Sequence, residues 1–282
     1  MNALHASARR AVLCLNNRLL LCLLIAQLAL VTISTAVYSA DVHTVDLKKR
    51  WRSAISNDRS DILHSLLVQL ENKHGDTAAL LKTDAPNGKS ALMVASKQGE
   101  LHLVKLMVRF GADINEVTAT GGTPFMFAVL GDHITVADWL YRRGANINAR
   151  GSNGWSAATI AGAKGQTNML EWLIESNANV DSPDVYRFTP LMRAVDNQHE
   201  DAVRALLESG RVNVNVVDES DNSALHFAVA NQQVSVVRLL LNHGANPLLA
   251  NRDGITPNDL AKNHSGMKHL FDAATPVLNE GE

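Results

Sequence analysis

Along most of the chain, short apolar runs at helical spacing alternate with polar turns, and the alternation is periodic. Leu103, Val104, Leu106 and Met107 place four apolar side chains on one face of a predicted helix. Such runs return in step with a second signal: Ser90-Ala91, Thr123-Pro124, Ser156-Ala157, Thr189-Pro190, Ser223-Ala224 and Thr256-Pro257 recur every 33 residues, with one interval of 34. A third series keeps the same register, running Gly111 to Asn115, Gly144 to Asn148, Asn177 to Asp181 and Gly244 to Pro247. The extra residue of the long interval falls near Arg211. Independent signals held in step over six units predict a repeat architecture.

Each unit reads as a helix pair. Thr or Ser supplies an N-cap oxygen for the first helix, and Pro in the next position fits the first turn, where its missing N–H is not needed. The second helix ends at a residue suited to positive φ: Gly111, Gly144, Gly210, Gly244 or Asn177. Asn87-Gly88, Gly121-Gly122, Asn153-Gly154 and Asp253-Gly254 mark tight turns between units. In the unit from 183 to 216, Arg187 stands where the others have the turn glycine, and a rearranged loop is expected there. Helices of about eight to ten residues are marginal alone, so the units must lean on their neighbours in a one-dimensional stack.

The pattern N-G-x-T-P-L-x-x-A, followed by I/L-V-x-x-L-L-x-x-G-A-D/N-I-N, resembles the ankyrin repeat. It does so most fully from Gly122 to Asn148 and from Asn222 to Asn246. The resemblance implies a mainly α fold, an ankyrin-repeat solenoid of stacked helix-turn-helix units joined by β-hairpin turns. On this reading residues 41–83 form a degenerate N-terminal capping repeat. Five repeats follow at 84–116, 117–149, 150–182, 183–216 and 217–249, then a C-terminal capping repeat at 250–272 and a flexible tail at 273–282. In that family partners lie along the concave side made by hairpin tips and first helices. The matching positions include Lys97, Trp155, Lys164, Tyr186, Phe188, Asp196 and Asn197. Trp155, Tyr186 and Phe188 put aromatics on two adjacent tips where repeat packing asks for none, and large aromatics are favoured interface anchors. Their alternative is to fold back on one another. Arg193 replaces Val94, Phe127, Ile160, Phe227 and Leu260 of the other units; it could meet a partner's carboxylate in the groove or pair with Asp196 along its own helix.

The first forty residues differ in composition. After Arg9, Arg10 and Arg18 comes an uncharged stretch to Ala40 containing LLLCLLIAQLALVTI, and Ser34-Thr35-Ala36 offers a small-x-small cleavage site. Residues 1–40 are thus expected to be a signal peptide or an N-terminal membrane anchor. The product would be exported, to a periplasm or anchored in the inner membrane, with membrane contact only through this segment. Both cysteines, Cys14 and Cys22, lie in it, so the repeats must be stable without disulfides.

The formal net charge is -2, and all but three of the 26 basic groups share the chain from Asp41 onward with all 28 acidic ones. This balance argues against nucleic acid, whose phosphates need clustered Lys and Arg.

Enzymatic chemistry finds no foothold. Gly88-Lys89-Ser90 ends like a phosphate-binding loop, but Thr83 stands where its first glycine belongs. Ser156 in Gly154-Trp155-Ser156-Ala157-Ala158 approaches a nucleophile elbow without the final glycine. His133, His199 and His226 occupy positions where the resemblance implies structural roles, and His264 and His269 lack a ligand spacing. No catalytic residue, metal or cofactor is expected. The expected activity is non-catalytic binding of another protein by a monomeric array.

Overall fold

The structure, a computed structural model, describes residues 45–72, 80–81, 85–86, 88–262, 264 and 266–274. The expected leader at 1–40, with Cys14 and Cys22, and residues 275–282 of the expected tail lie outside the described residues. The chain divides into two compact units after Trp51. In the first, residues 45–51 are helical; the second holds the repeats.

Among the described residues the second unit contains, after a helical stretch at 52–56, α1 (Ser60–Asn72) and six helix pairs. These are α2 (Ala91–Lys97) with α3 (Leu101–Arg109), α4 (Pro124–Leu130) with α5 (Ile134–Arg142), and α6 (Ala157–Lys164) with α7 (Thr167–Glu175). They continue as α8 (Pro190–Asp196) with α9 (Glu200–Glu208), α10 (Ala224–Ala230) with α11 (Val234–Asn242), and α12 (Pro257–Ala261) with α13 (Lys268–Ala274). Each first helix packs on the first helix of the next pair, from α2 through α12. The fold is mainly helical. Among the described residues there is no strand; the connections are hairpin-like turns with one isolated bridge, between Val217 and Ser223.

The local chemistry repeats with the sequence. Ser90, Thr123, Ser156, Thr189 and Thr256 accept the backbone N–H three residues on, at 3.1–3.2 Å, which satisfies an orphan donor of each first helix. Ser156 is thereby occupied as a cap. At Ser223 the His226 ring closes the cap: Nδ1 accepts the Ser223 N–H at 3.0 Å, and Nε2 lies 3.2 Å from the Ile255 carbonyl of the following unit. Burial pushes the His226 pKa down, consistent with a neutral ring whose unprotonated Nδ1 faces an N–H. The rings of His133 and His199 lie so close over Gly99 and Gly165 that a Cβ on either glycine would come within 2.5 Å of a ring atom. These three histidines are joints between units.

Apolar burial supplies the continuous core. Leu103, Met107, Phe125, Leu140, Leu170, Leu206 and Leu240 are buried to 1% exposure or less, each contributing on the order of 1.5–3 kcal/mol. On one edge Asn side chains tie neighbours together. Asn115, Asn148 and Asn215 accept the backbone N–H of Asn146, Asn179 and Asn246 at 2.8–2.9 Å. Asn115 and Asn215 also donate to the carbonyls of Gly144 and Gly244. Asp181 fills the same position, accepting from Asn213 at 3.1 Å, but its other oxygen, Oδ1, is buried without a partner among the described residues.

The turn tips also join: Ser152 donates its backbone N–H to Thr120, Val185 to Asn153 and Arg252 to Ser220, at 2.8–3.1 Å. The corresponding bond from Glu219 to Tyr186 is absent among the described residues. This gap follows the unit that carries the extra residue, where Arg211 reaches back to donate to the carbonyls of Ile174 and Ala178 at 2.7 and 2.9 Å.

Candidate functional site

The face formed by turn tips and first helices is organised around one ion pair. Asp184 opens the tip of the 183–216 unit and is fully buried in its side chain. Its Oδ1 accepts the backbone N–H groups of Tyr186 and Phe188 at 2.9 and 3.0 Å, fixing the turn. Its Oδ2 accepts two N–H groups from Arg193, Nε at 3.1 Å and Nη2. The rearranged loop expected at Arg187 is not found. Arg187 takes φ 63°, and Asp184 and Phe188 close the same backbone bond, at 2.9 Å, that Gly151 and Trp155 close in the preceding unit. The carboxylate holding two amides offsets the cost of a side chain at positive φ.

Around this pair the aromatics gather. The Arg193 guanidinium lies 4.3 Å from the Phe188 ring centroid and 5.4 Å from that of Trp155, and Phe188 meets Phe227 at 5.1 Å. Trp155, Phe188 and Arg193 are therefore one half-buried cluster, and the carboxylate that Arg193 meets is Asp184 of its own chain, not Asp196. Tyr186 stays out of it, 58% exposed at the tip. Asp196 and Asn197 are exposed at the end of α8, and Lys164 at the end of α6. Lys97 is set apart: it and Lys89 both pair with Asp58, whose carboxyl is held below its ordinary value by these two lysines against the opposing effect of burial. Lys89 thus serves the first joint of the stack, and no phosphate loop forms there.

Beside Trp155 lies an apolar cleft of about 420 Å³ between α4 and α6. Met126, Phe127, Leu130, Trp155 and Ile160 form its walls, and the backbone of the tips at Thr120 and Ser152 its rim. Leu130 is 36% exposed, and Tyr186 belongs to the next tip along. Sequence reasoning placed Trp155 on this face but missed Met126 and Ile160 as walls. The signal was the row shared by Phe127 and Ile160, which line this cleft from α4 and α6. Asp184 was missed as well; an Asp at the first turn position, as again at Asp218, was the available sign. Among the described residues no group of three or more His, Cys, Asp or Glu could hold a metal ion.

Two models of the ankyrin-repeat family match this chain. One, of three copies, covers residues 52–151 and 148–218; the other, of many copies, covers 206–261. The chain belongs to the ankyrin-repeat family, whose repeats serve as protein-binding modules and whose fold is typically a non-catalytic scaffold. It is similar to human 2-5A-dependent ribonuclease, at 44% identity over 72 residues, which are 25% of this chain and 10% of that protein. It is also similar to the BTB/POZ domain and ankyrin repeat-containing protein NOOT2 of Medicago truncatula, at 36% over 90 residues, 32% of this chain and 18% of that one. Against these two the match thus spans less than a fifth of the relative's length. Notch-regulated ankyrin repeat-containing protein A of Danio rerio is 33% identical over 95 residues, 33% of this chain and 81% of that one. Among solved structures, the human ASB11 ankyrin repeat domain superposes with a TM-score of 0.67 at 27% identity, covering 80% of this chain and 97% of that one. The ankyrin repeat protein EF0377 gives 0.59 at 29% identity, covering 64% and 96%.

Proposed function

We propose that this chain is a non-catalytic module that holds a folded protein partner, as scaffold, inhibitor or accessory protein, and that it acts outside the cytoplasm. The observation that carries the binding reading is the apolar cleft between α4 and α6, open beside Leu130 and rimmed by turn tips, with Tyr186 exposed nearby. Exposed apolar and aromatic side chains around a shaped depression are what an interface core needs, and the fold leaves these unused. Trp155, Phe188 and Arg193 give the surface a rigid floor, which lowers the ordering cost of association. Export rests on the composition of residues 1–40; a tether held to the membrane by that segment, uncleaved, is the second reading.

The test uses Tyr186→Ala combined with Leu130→Ser, both on exposed positions, with the intact array as bait against the exported fraction of its host. The variant is expected to keep its helical circular dichroism and to lose partner capture by about tenfold or more. Undiminished capture would remove the site from this face. Fractionation decides location: a shortened soluble product outside the cytoplasm supports export with cleavage, a full-length membrane-bound one the tether, and a cytoplasmic product neither.

A further inference from the structure

The face formed by the second helices distributes its charge unevenly. Lys105 and Arg109 on α3 lie beside Arg143 at the end of α5, whereas α7 brings Glu171 and Glu175, and α9 brings Glu200, Asp201 and Glu208 against Arg204 alone. Between α3 and α5 is a cleft of about 420 Å³ lined by Lys105, Val108, Arg109, Trp139 and Arg143. Arg143 lays its guanidinium 4.8 Å from the Trp139 ring centroid, and Arg109 lies 5.4 Å from that of Phe110. Stacked on an aromatic face, the Arg143 guanidinium keeps its in-plane N–H donors open to a planar carboxylate.

Two features separate this cleft from an ordinary solvated helix face. Arg142 is engaged by Asp138 at 2.8 Å, but no carboxylate pairs with Lys105 or Arg143 among the described residues. The second feature is Trp139. Its counterpart Trp172, one unit on, packs with Phe125 at 6.1 Å and Tyr141 at 5.9 Å, while the ring contact of Trp139 among the described residues is the Arg143 cation alone. No second ring packs on the half-buried Trp139 indole among the described residues.

We propose that this cleft is a second docking surface, independent of the first, and that it takes an acidic peptide segment of a protein partner. Charge complementarity selects the occupant: Lys105 and Arg143, without a carboxylate partner among the described residues, beside an apolar indole and Val108 suit alternating carboxylate and apolar side chains. An extended anion is disfavoured. An anionic membrane or a nucleic acid lying on this face would also meet Glu171, Glu175, Glu200, Asp201 and Glu208, whereas a short segment running between α3 and α5 avoids them. With both faces occupied, the chain would bridge two proteins.

The experiment titrates the full chain with a fluorescein-labelled decaglutamate peptide at low ionic strength, read by anisotropy. Saturable binding that weakens with salt is expected. Lys105→Glu combined with Arg143→Glu should weaken it about tenfold with unchanged circular dichroism, and Trp139→Leu should weaken it several-fold. Tyr186→Ala combined with Leu130→Ser should leave it intact, so failure here is distinguishable from failure of the first site. Absence of saturable binding, or equal binding by the charge-reversed variant, overturns the proposal. So does a result in which vesicles containing phosphatidylserine bind through Lys105 and Arg143 more tightly than the peptide.

Discussion

At the residue scale, Asp181 is the informative departure. Where Asn115 and Asn215 both accept and donate across a joint, Asp181 only accepts, and its buried Oδ1 has no partner among the described residues. Burial raises its pKa above the ordinary 3.8, opposed in part by the Asn213 N–H. A raised folded-state pKa means that the favourable contribution is complete below 3.8 and is lost as pH rises through the folded value. At neutral pH the charged carboxylate is therefore a liability. Asp181→Asn is expected to stabilise the chain by about 1 kcal/mol at pH 7, a rise of roughly 2–4 °C in Tm. The gain should shrink towards pH 3, and thermal melts across that range check it; a constant or negative difference would contradict the assignment. The 33-residue register made this residue visible, but not its consequence, because an unsatisfied oxygen depends on what the next unit brings opposite it. Arg193 teaches the same lesson. Its row was legible, but its carboxylate came from Asp184, nine residues away in its own tip, and not from the partner or Asp196 that helical spacing suggested.

At the element scale, helices were the most legible part, since caps and apolar spacing act within a few residues and recur. The turn between the helices of a pair was the least legible. Asp132, Gln198 and Gln232 take positive φ there, where other units have Gly99 and Gly165. Nothing local announces that geometry; it is imposed by the helices on either side. The tip at Arg187 offers a sharper case, because an Asp-centred turn holds a bulky residue at φ 63°. Arg187→Gly is expected to relieve that strain and stabilise the chain by about 1 kcal/mol while leaving partner capture unchanged, read by denaturant unfolding and the capture assay together. Loss of stability would show that the Arg187 side chain makes a contact worth more than the backbone cost.

At the scale of the whole array, neighbour contacts carry stability, so the weakest joint governs where the stack opens. The tips are bonded from Thr120 to Ser152, Asn153 to Val185 and Ser220 to Arg252, but not from Tyr186 to Glu219. Native-state hydrogen exchange in mild denaturant should therefore resolve two cooperative groups. Amides of α10 to α12 are expected to lose protection before those of α4 to α9; one common opening energy for both would refute this. The same missing bond leaves the Tyr186 carbonyl and the Glu219 amide available at the rim. A visiting main chain could complete that interrupted edge and, by stapling the two groups together, make the array harder to unfold once its client is aboard.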